Sequence, residues 1–187
     1  MQPRMSQNET VLFLNFLKSS ESYVEFGAGG STVAASKYVR NSILTVDSSA
    51  EWIDKVRNAC ADALVRPQLH FIDIGPTGEW GFPKDKTAEQ KWPTYHDKIW
   101  AEDGSHGADL YMIDGRFRVA CFAQAVLRCR NNSIICFHDF ASRPQYHRVH
   151  QLAREIVAVE DISFFVPKSD SMEAAKALLE EYRCDPG

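Results

Sequence analysis

Val24-Glu25-Phe26-Gly27-Ala28-Gly29-Gly30-Ser31-Thr32, followed by Asp47 at the close of Ile43-Leu44-Thr45-Val46, is the stretch that decides the fold. An apolar run ends in an acidic residue, a glycine turn follows at once, and a helix opens at Ser31. Glycines are needed where a ligand must press against backbone, because they lack a Cβ and tolerate positive φ. Asp47 ends a second apolar run twenty residues beyond Gly27. This is the layout of a strand–turn–helix–strand unit that grips the ribose of a nucleoside ligand.

The residue types narrow the nucleoside. A dinucleotide fingerprint, G-x-G-x-x-G, needs a third glycine where this chain carries Thr32. A carboxylate at Glu25, two residues before the first glycine, repels a pyrophosphate and suits a cationic ligand. An acidic residue followed by G-x-G resembles the first motif of the class I S-adenosylmethionine (SAM) methyltransferases. The resemblance implies that Glu25 helps hold the methionine end of SAM. It also implies that Gly27, Ala28 and Gly29 line the cofactor, and that Asp47, with Ser48 beside it, binds the ribose hydroxyls. Asp73 or Gly75, after the third strand, would border the adenine. The segments Gly75 to Gly81 (G-P-T-G-E-W-G) and Asp114 to Ala120 (D-G-R-F-R-V-A) are similar to those of small bacterial methyltransferase-like proteins. The likeness runs from about Tyr23 to Val166. Other readings stay open: a glycine turn of any α/β domain, an NAD-dependent oxidoreductase, a sugar-nucleotide enzyme, or a non-catalytic SAM-binding module on the same scaffold.

Composition sets the frame. At 187 residues the chain suits one domain with a sizeable core. A formal net charge of −4 argues against a non-specific nucleic-acid binder. No apolar stretch approaches the ~20 residues that span a bilayer, and Met1-Gln2-Pro3-Arg4-Met5 lacks a signal-peptide pattern. Cys60, Cys121, Cys129, Cys136 and Cys184 are scattered with no C-x-x-C, which reads as reduced thiols in a cytoplasmic protein.

Along the chain, helix and strand alternate. Ser6 to Glu9 reads as a capping box opening an N-terminal helix within residues 1–20. Strands are expected at Tyr23 to Phe26, up to Val46, Gln68 to Ile74, Asp109 to Ile113 and Ser133 to Phe137. A hairpin of Ile156–Val159 and Ile162–Val166 closes the set. Helices are expected from Ser31 to Val39, from a second capping box at Ser48-Ser49-Ala50-Glu51 through Ala63, from Tyr95 to Glu102, from Phe117 to Arg128, from Tyr146 to Ala153 and from Met172 to Tyr182. Residues 75–95 form a long irregular loop, a kind that is often functional. The fold class that follows is α/β: one Rossmann-like open, mostly parallel seven-stranded sheet, helices on both faces and a C-terminal antiparallel hairpin, in one domain over 1–187.

In such a sheet, ligands bind outside the carboxyl ends of the strands. Asp114-Gly115-Arg116 and His138-Asp139 stand at two of those ends. In catechol-type O-methyltransferases, acidic residues at these places help bind a divalent cation. Asp114 and Asp139 match two of them, so Mg2+ is a candidate, although Phe140 stands where the carboxamide ligand is usual. His138 is a candidate base, given an ordinary pKa of about 6.5, or else a strand cap. Asp114, His138 and Asp139 are thus the catalytic candidates. Arg116, Arg118 and Arg143 could hold an anionic substrate through paired hydrogen bonds, or be helix-surface charge. His147, with His150, could join a nitrogen-rich metal cluster; otherwise His150 opens a solvated helix and His147 is a substrate-pocket candidate beside Arg116 and Trp80. Trp80 and Trp92 are read as a lid over cofactor or substrate, or as staples of the loop. The expected acceptor is a small hydroxylated or carboxylated molecule, not nucleic acid. The N-terminal portion is too short for a large substrate cap, so the site is built from loops or completed by a second subunit of a homodimer.

Overall fold

A computed structural model describes residues 1–187. Helix α1 (Gln7–Lys18) leads into β1 (Ser22–Phe26), α2 (Gly30–Tyr38), β2 (Ser42–Asp47), α3 (Ala50–Ala59) and β3 (Gln68–Phe71). After the irregular loop come α4 (Thr94–Asp97), β4 (Leu110–Ile113), α5 (Arg118–Arg128) and β5 (Ile134–Phe137). The chain closes with β6 (Ala153–Val159), β7 (Ile162–Pro167) and α6 (Met172–Tyr182). The strands form one seven-stranded sheet in the order β3-β2-β1-β4-β5-β7-β6. β1 to β5 run parallel, and β7 joins β5 antiparallel.

Alternation along each strand builds two cores. Val24, Phe26, Leu44, Val46, Tyr111, Ile113, Ile135 and Phe137 face one side, under α5, α6 and the Trp92 to Trp100 segment. Tyr23, Ile43, Leu110, Met112 and Cys136 face the other, against α1 and α2. Burial on both faces explains why the parallel strands read as near-continuous apolar runs. Chain order reverses between β1 and β4, so the crevice outside their carboxyl ends is the topological switch point.

Two glycines let the turns there meet. Gly27 holds φ +106°, and a Cβ on it would lie 2.6 Å from the Gly115 nitrogen. A Cβ on Gly115 would fall 2.1 Å from the Tyr95 hydroxyl. The turns after β1 and β4 therefore pack backbone against backbone, and Gly27 serves this contact.

Several expected boundaries move. The cap of α3 is Ser49, whose side chain accepts from the Trp52 N–H at 3.2 Å; Trp52 stands where a capping box needs Glu or Gln. That helix stops at Ala59 instead of continuing through Ala63. The third strand ends at Phe71. Tyr95 to Glu102 divides into α4 and a 3-10 turn, Lys98–Ala101, and Tyr146 to Ala153 belongs to a 3-10 run, Pro144–Gln151. The capping box at Ser6 and Glu9 is present, and α6 has the expected bounds. No helix is long and apolar enough to cross a membrane.

Candidate functional site

Glu25 lies on the α2 side of β1, fully buried. Ser31 and Thr32 donate their hydroxyls to it from the first turn of α2, and Thr45, its register partner on β2, donates at 2.8 Å. Thr32 Oγ1 also accepts the Gly29 N–H at 2.9 Å. Burial lifts the Glu25 carboxyl to a pKa of about 7, against the pull of these hydroxyls. The side chain ties β1, β2 and α2 together and sets the glycine turn through Thr32. The three hydroxyls that satisfy it were missed; Thr45, directly across the ladder from a core-facing Glu, is the signal that points to them.

Asp47 is the carboxylate at the rim. Its oxygens accept the Ala28 N–H at 3.0 Å and the Ser49 N–H at 2.8 Å, bridging the glycine turn and the start of α3. Partial burial pushes its pKa up to about 6, while those backbone donors pull it down. The Trp52 indole donates to the Ala28 carbonyl, so the Ala28 residue is held at both its N–H and its C=O.

The irregular loop and the N-terminal residues roof this turn. Gly81 reaches Ser48 so closely that a Cβ on it would lie 3.2 Å from the Ser48 hydroxyl. The Gln2 carbonyl and Pro3 nitrogen press on Gly30. Trp80 is 66% exposed, in a left-handed backbone conformation, and the Arg4 guanidinium stacks 4.2 Å from its ring centroid. Trp80 thus belongs to the roof. Trp92 does not: it is buried and donates to the Ile74 carbonyl at 3.1 Å, a core staple beneath the loop. Asp73 is exposed, accepting from Gly75 N–H at 2.9 Å and pairing with Lys91 at 2.7 Å. Both of its oxygens serve the base of the loop.

At the ends of β4 and β5, Asp114, His138 and Asp139 meet. One ligand-type atom from each falls within 4.8 Å of the others. His138 Nδ1 lies 3.0 Å from Asp114 and 3.5 Å from Asp139, and Nε2 lies 3.8 Å from Glu9. Burial pulls the imidazole pKa down, but the hydrogen bond and charge of Asp114, with Asp139 and Glu9, carry it above its ordinary value. Glu9, the capping residue of α1, was not anticipated here. Arg118 crosses the cluster, 3.4 Å from Asp114 and 3.1 Å from Asp139, and donates to the carbonyls of Gly115 and His138 at 2.9 and 2.5 Å. Arg143 pairs with Asp139 at 2.8 Å. The turns into this cluster are strained: Phe117 and Asp139 hold φ of +55° and +56° without being glycine.

A Mg2+ ion does not fit this arrangement. It seeks oxygen ligands in an octahedron, whereas here the third donor is an imidazole and a buried guanidinium already neutralises both carboxylates. Phe140 is buried core. His147 lies outside the cluster, bonded to the Phe140 carbonyl at 3.1 Å, and His150 is exposed beside Glu155 at 3.7 Å. The nitrogen-rich cluster is therefore not formed, and His147 braces the turn after β5.

Arg116 and Arg118 are both buried, which corrects the alternative that they are helix-surface charge. Arg116 stacks on Phe82, its guanidinium 3.9 Å from the ring centroid, directly under the roof.

No protein-family model matches the chain, and no curated protein matches it. Solved structures do. A methyltransferase-like protein from Silicibacter pomeroyi superposes with a TM-score of 0.85 at 24% identity, over 99% of this chain and 98% of its own. An O-methyltransferase from Bacillus cereus, in complex with S-adenosylhomocysteine (SAH), gives 0.57 at 14% identity, over 88% of this chain and 84% of its own. An RNA methyltransferase from Salinibacter ruber, also with SAH, gives 0.52 at 11% identity, over 89% and 95%. The fold is that of the class I SAM-dependent methyltransferases.

Proposed function

We propose that this chain binds SAM in the crevice outside β1 and β4 and transfers its methyl group to a small acceptor, by O-methylation. The observation that carries the reading is Asp47: a rim carboxylate at the end of β2, fixed by the Ala28 and Ser49 N–H groups beside the glycine turn of the switch point. The SAM complexes of this chain would therefore have their ribose hydroxyls on Asp47, with Gly27 to Gly29 lining the turn. SAM supplies an electrophilic methyl on a sulfonium. The residues supply position and water exclusion, the larger part of the acceleration for an in-line transfer. Asp114 is the partly exposed carboxylate of the β4–β5 cluster and faces the acceptor. His138 and Arg118 hold its charge and orientation. The roof of Trp80 to Phe82 opens for entry and closes over the bound pair.

A non-catalytic SAM-binding module is the second reading, favoured by one observation. The His138 Nδ1 is bonded to Asp114 and its Nε2 faces Glu9 at 3.8 Å, so the imidazole is turned to the protein's own carboxylates instead of toward an acceptor.

Calorimetry with SAM and SAH, NAD as control and Asp47→Ala in parallel, tests cofactor binding. Binding of the adenosyl ligands, lost in the variant, supports the proposal; binding of NAD alone sinks it. Methyl release to a panel of hydroxylated and carboxylated small molecules, with RNA alongside, then separates enzyme from binding module.

A further inference from the structure

Two arginines, two residues apart, are buried to the same degree and treated differently. Arg118 is 3% exposed, and its nitrogens reach three carbonyls and two carboxylates. Arg116 is 5% exposed, yet its Nε and Nη1 are fully enclosed and have no hydrogen-bond partner. A guanidinium cannot discard its charge at any ordinary pH, and burying it unpaired is costly. Burial and the neighbouring Arg118 both push its pKa down, so its surroundings disfavour the cation as they stand. No carboxylate pairs with it: Asp114 and Asp139 are committed to Arg118, and Asp47 lies only near enough for the Arg116 charge to draw its pKa down. The Phe82 ring covers one face of the guanidinium.

We propose that Arg116 is a receptor for an oxyanion, a carboxylate or phosphate, carried by a ligand bound under the Gly81–Phe82 roof. The planar N–H fork matches the two oxygens of such a group. This deepens the methyltransferase reading and rests on it for the site, since Arg116 follows directly on Asp114-Gly115 at the end of β4. The oxyanion has two sources: the acceptor, or the amino-acid carboxylate of the cofactor itself. Placement next to the acceptor-facing Asp114 favours an acidic acceptor.

The test uses the full chain. The Arg116 Nε–H resonance is followed by NMR while benzoate, and separately inorganic phosphate, is added to the SAH-loaded protein. SAH and 5′-methylthioadenosine, the same nucleoside thioether without a carboxylate, are titrated into wild type, Arg116→Gln and Arg116→Lys. The expected result is a saturable shift of the Arg116 resonance by one of the acids, with SAH affinity little changed in Arg116→Gln; this assigns the oxyanion to the acceptor. A loss of about tenfold to a hundredfold for SAH alone, with 5′-methylthioadenosine unaffected, assigns it to the cofactor and upholds the receptor. A resonance unmoved by both acids, with the two adenosyl ligands equally affected or equally unaffected, overturns the proposal. If SAH fails to bind while an acid still shifts the resonance, the methyltransferase reading falls and the oxyanion site stands. Where a variant does not fold, the wild-type resonance decides: a shift by an acid, or by SAH but not by 5′-methylthioadenosine, upholds the receptor, and no such shift overturns it.

Discussion

Glu25→Gln separates a structural role for this carboxyl from a ligand-binding one. The side chain is wholly buried, and its pKa rises from 4.5 to about 7 because burial opposes ionisation. A carboxyl raised in the folded state contributes stability that is fully present below its unfolded pKa and lost as pH climbs through the folded one. The window therefore runs from about pH 4.5 to somewhat above pH 7. Against a residue that does not titrate, the raised pKa lowers stability by about 1 kcal/mol at pH 5, where the unfolded chain ionises first, and by about 3 kcal/mol at pH 8. Glutamine does not titrate, and any hydrogen bond it loses to Ser31, Thr32 or Thr45 is the same at both pH values. Urea unfolding of both proteins at pH 5 and pH 8 should show the variant gaining roughly 2 kcal/mol on wild type across that interval. SAH affinity should change little. A stability difference that stays flat with pH, or a tenfold loss of SAH affinity, would refute the argument and return Glu25 to direct ligand contact.

Four further outcomes follow from the geometry. Asp47→Ala removes the rim carboxylate, and SAH affinity measured by calorimetry should fall at least about tenfold; unchanged affinity sinks the cofactor site. Gly27→Ala sets a Cβ 2.6 Å from the Gly115 nitrogen in a backbone at φ +106°, so denaturant unfolding should register a loss of about 2 kcal/mol or more; a stable variant would mean the two turns can separate freely. Asp114→Asn removes the hydrogen bond and charge that raise His138, so its ring titration by NMR should move to lower pH than in wild type; an unmoved titration would assign the shift to Glu9 and Asp139. Trp80→Ala cuts the Arg4 stack, an interaction of about 0.5–1 kcal/mol at an exposed site, and the SAH association rate by stopped flow should rise about twofold to fivefold; no acceleration would mean that the roof does not gate entry.

Much of the sheet was legible because parallel strands buried on both faces are dense apolar runs that end in Asp, Gly or His. β1, β2, β4 and β5 fall within a residue of expectation, and the closing hairpin lies where the two short runs around Glu160 place it. The Met172–Tyr182 helix was equally clear, its Ala175 and Leu178 meeting the core. The errors concentrate where periodicity says little. Around Trp92 to Ala101 and Pro144 to Gln151 the chain forms short helical turns, several of them 3-10, which share the apolar spacing of an α-helix without its length. Asp73 carries the polar signature of a strand end, yet an Asx turn to Gly75 and an ion pair with Lys91 turn it to the loop.

The site was legible as a set of residue types and much less as a set of partners. A sequence shows that Asp114 and Asp139 end neighbouring strands; it does not show that Arg118, on the first turn of the helix between them, already supplies their cation. Nor does it show that Glu25 finds three hydroxyls, or that Arg116 alone among the buried charges finds none. Satisfaction of polar groups depends on which long side chains cross which gaps, and those crossings link residues far apart in the chain. The two arginines after Asp114 flank Phe117: Arg116 precedes α5 and stacks on Phe82 under the roof, while Arg118 is the first residue of α5 and reaches the carboxylates. What distinguishes the acid-neutralising residue from the ligand-seeking one is therefore the left-handed turn at Phe117, which stands between them and starts α5 at Arg118.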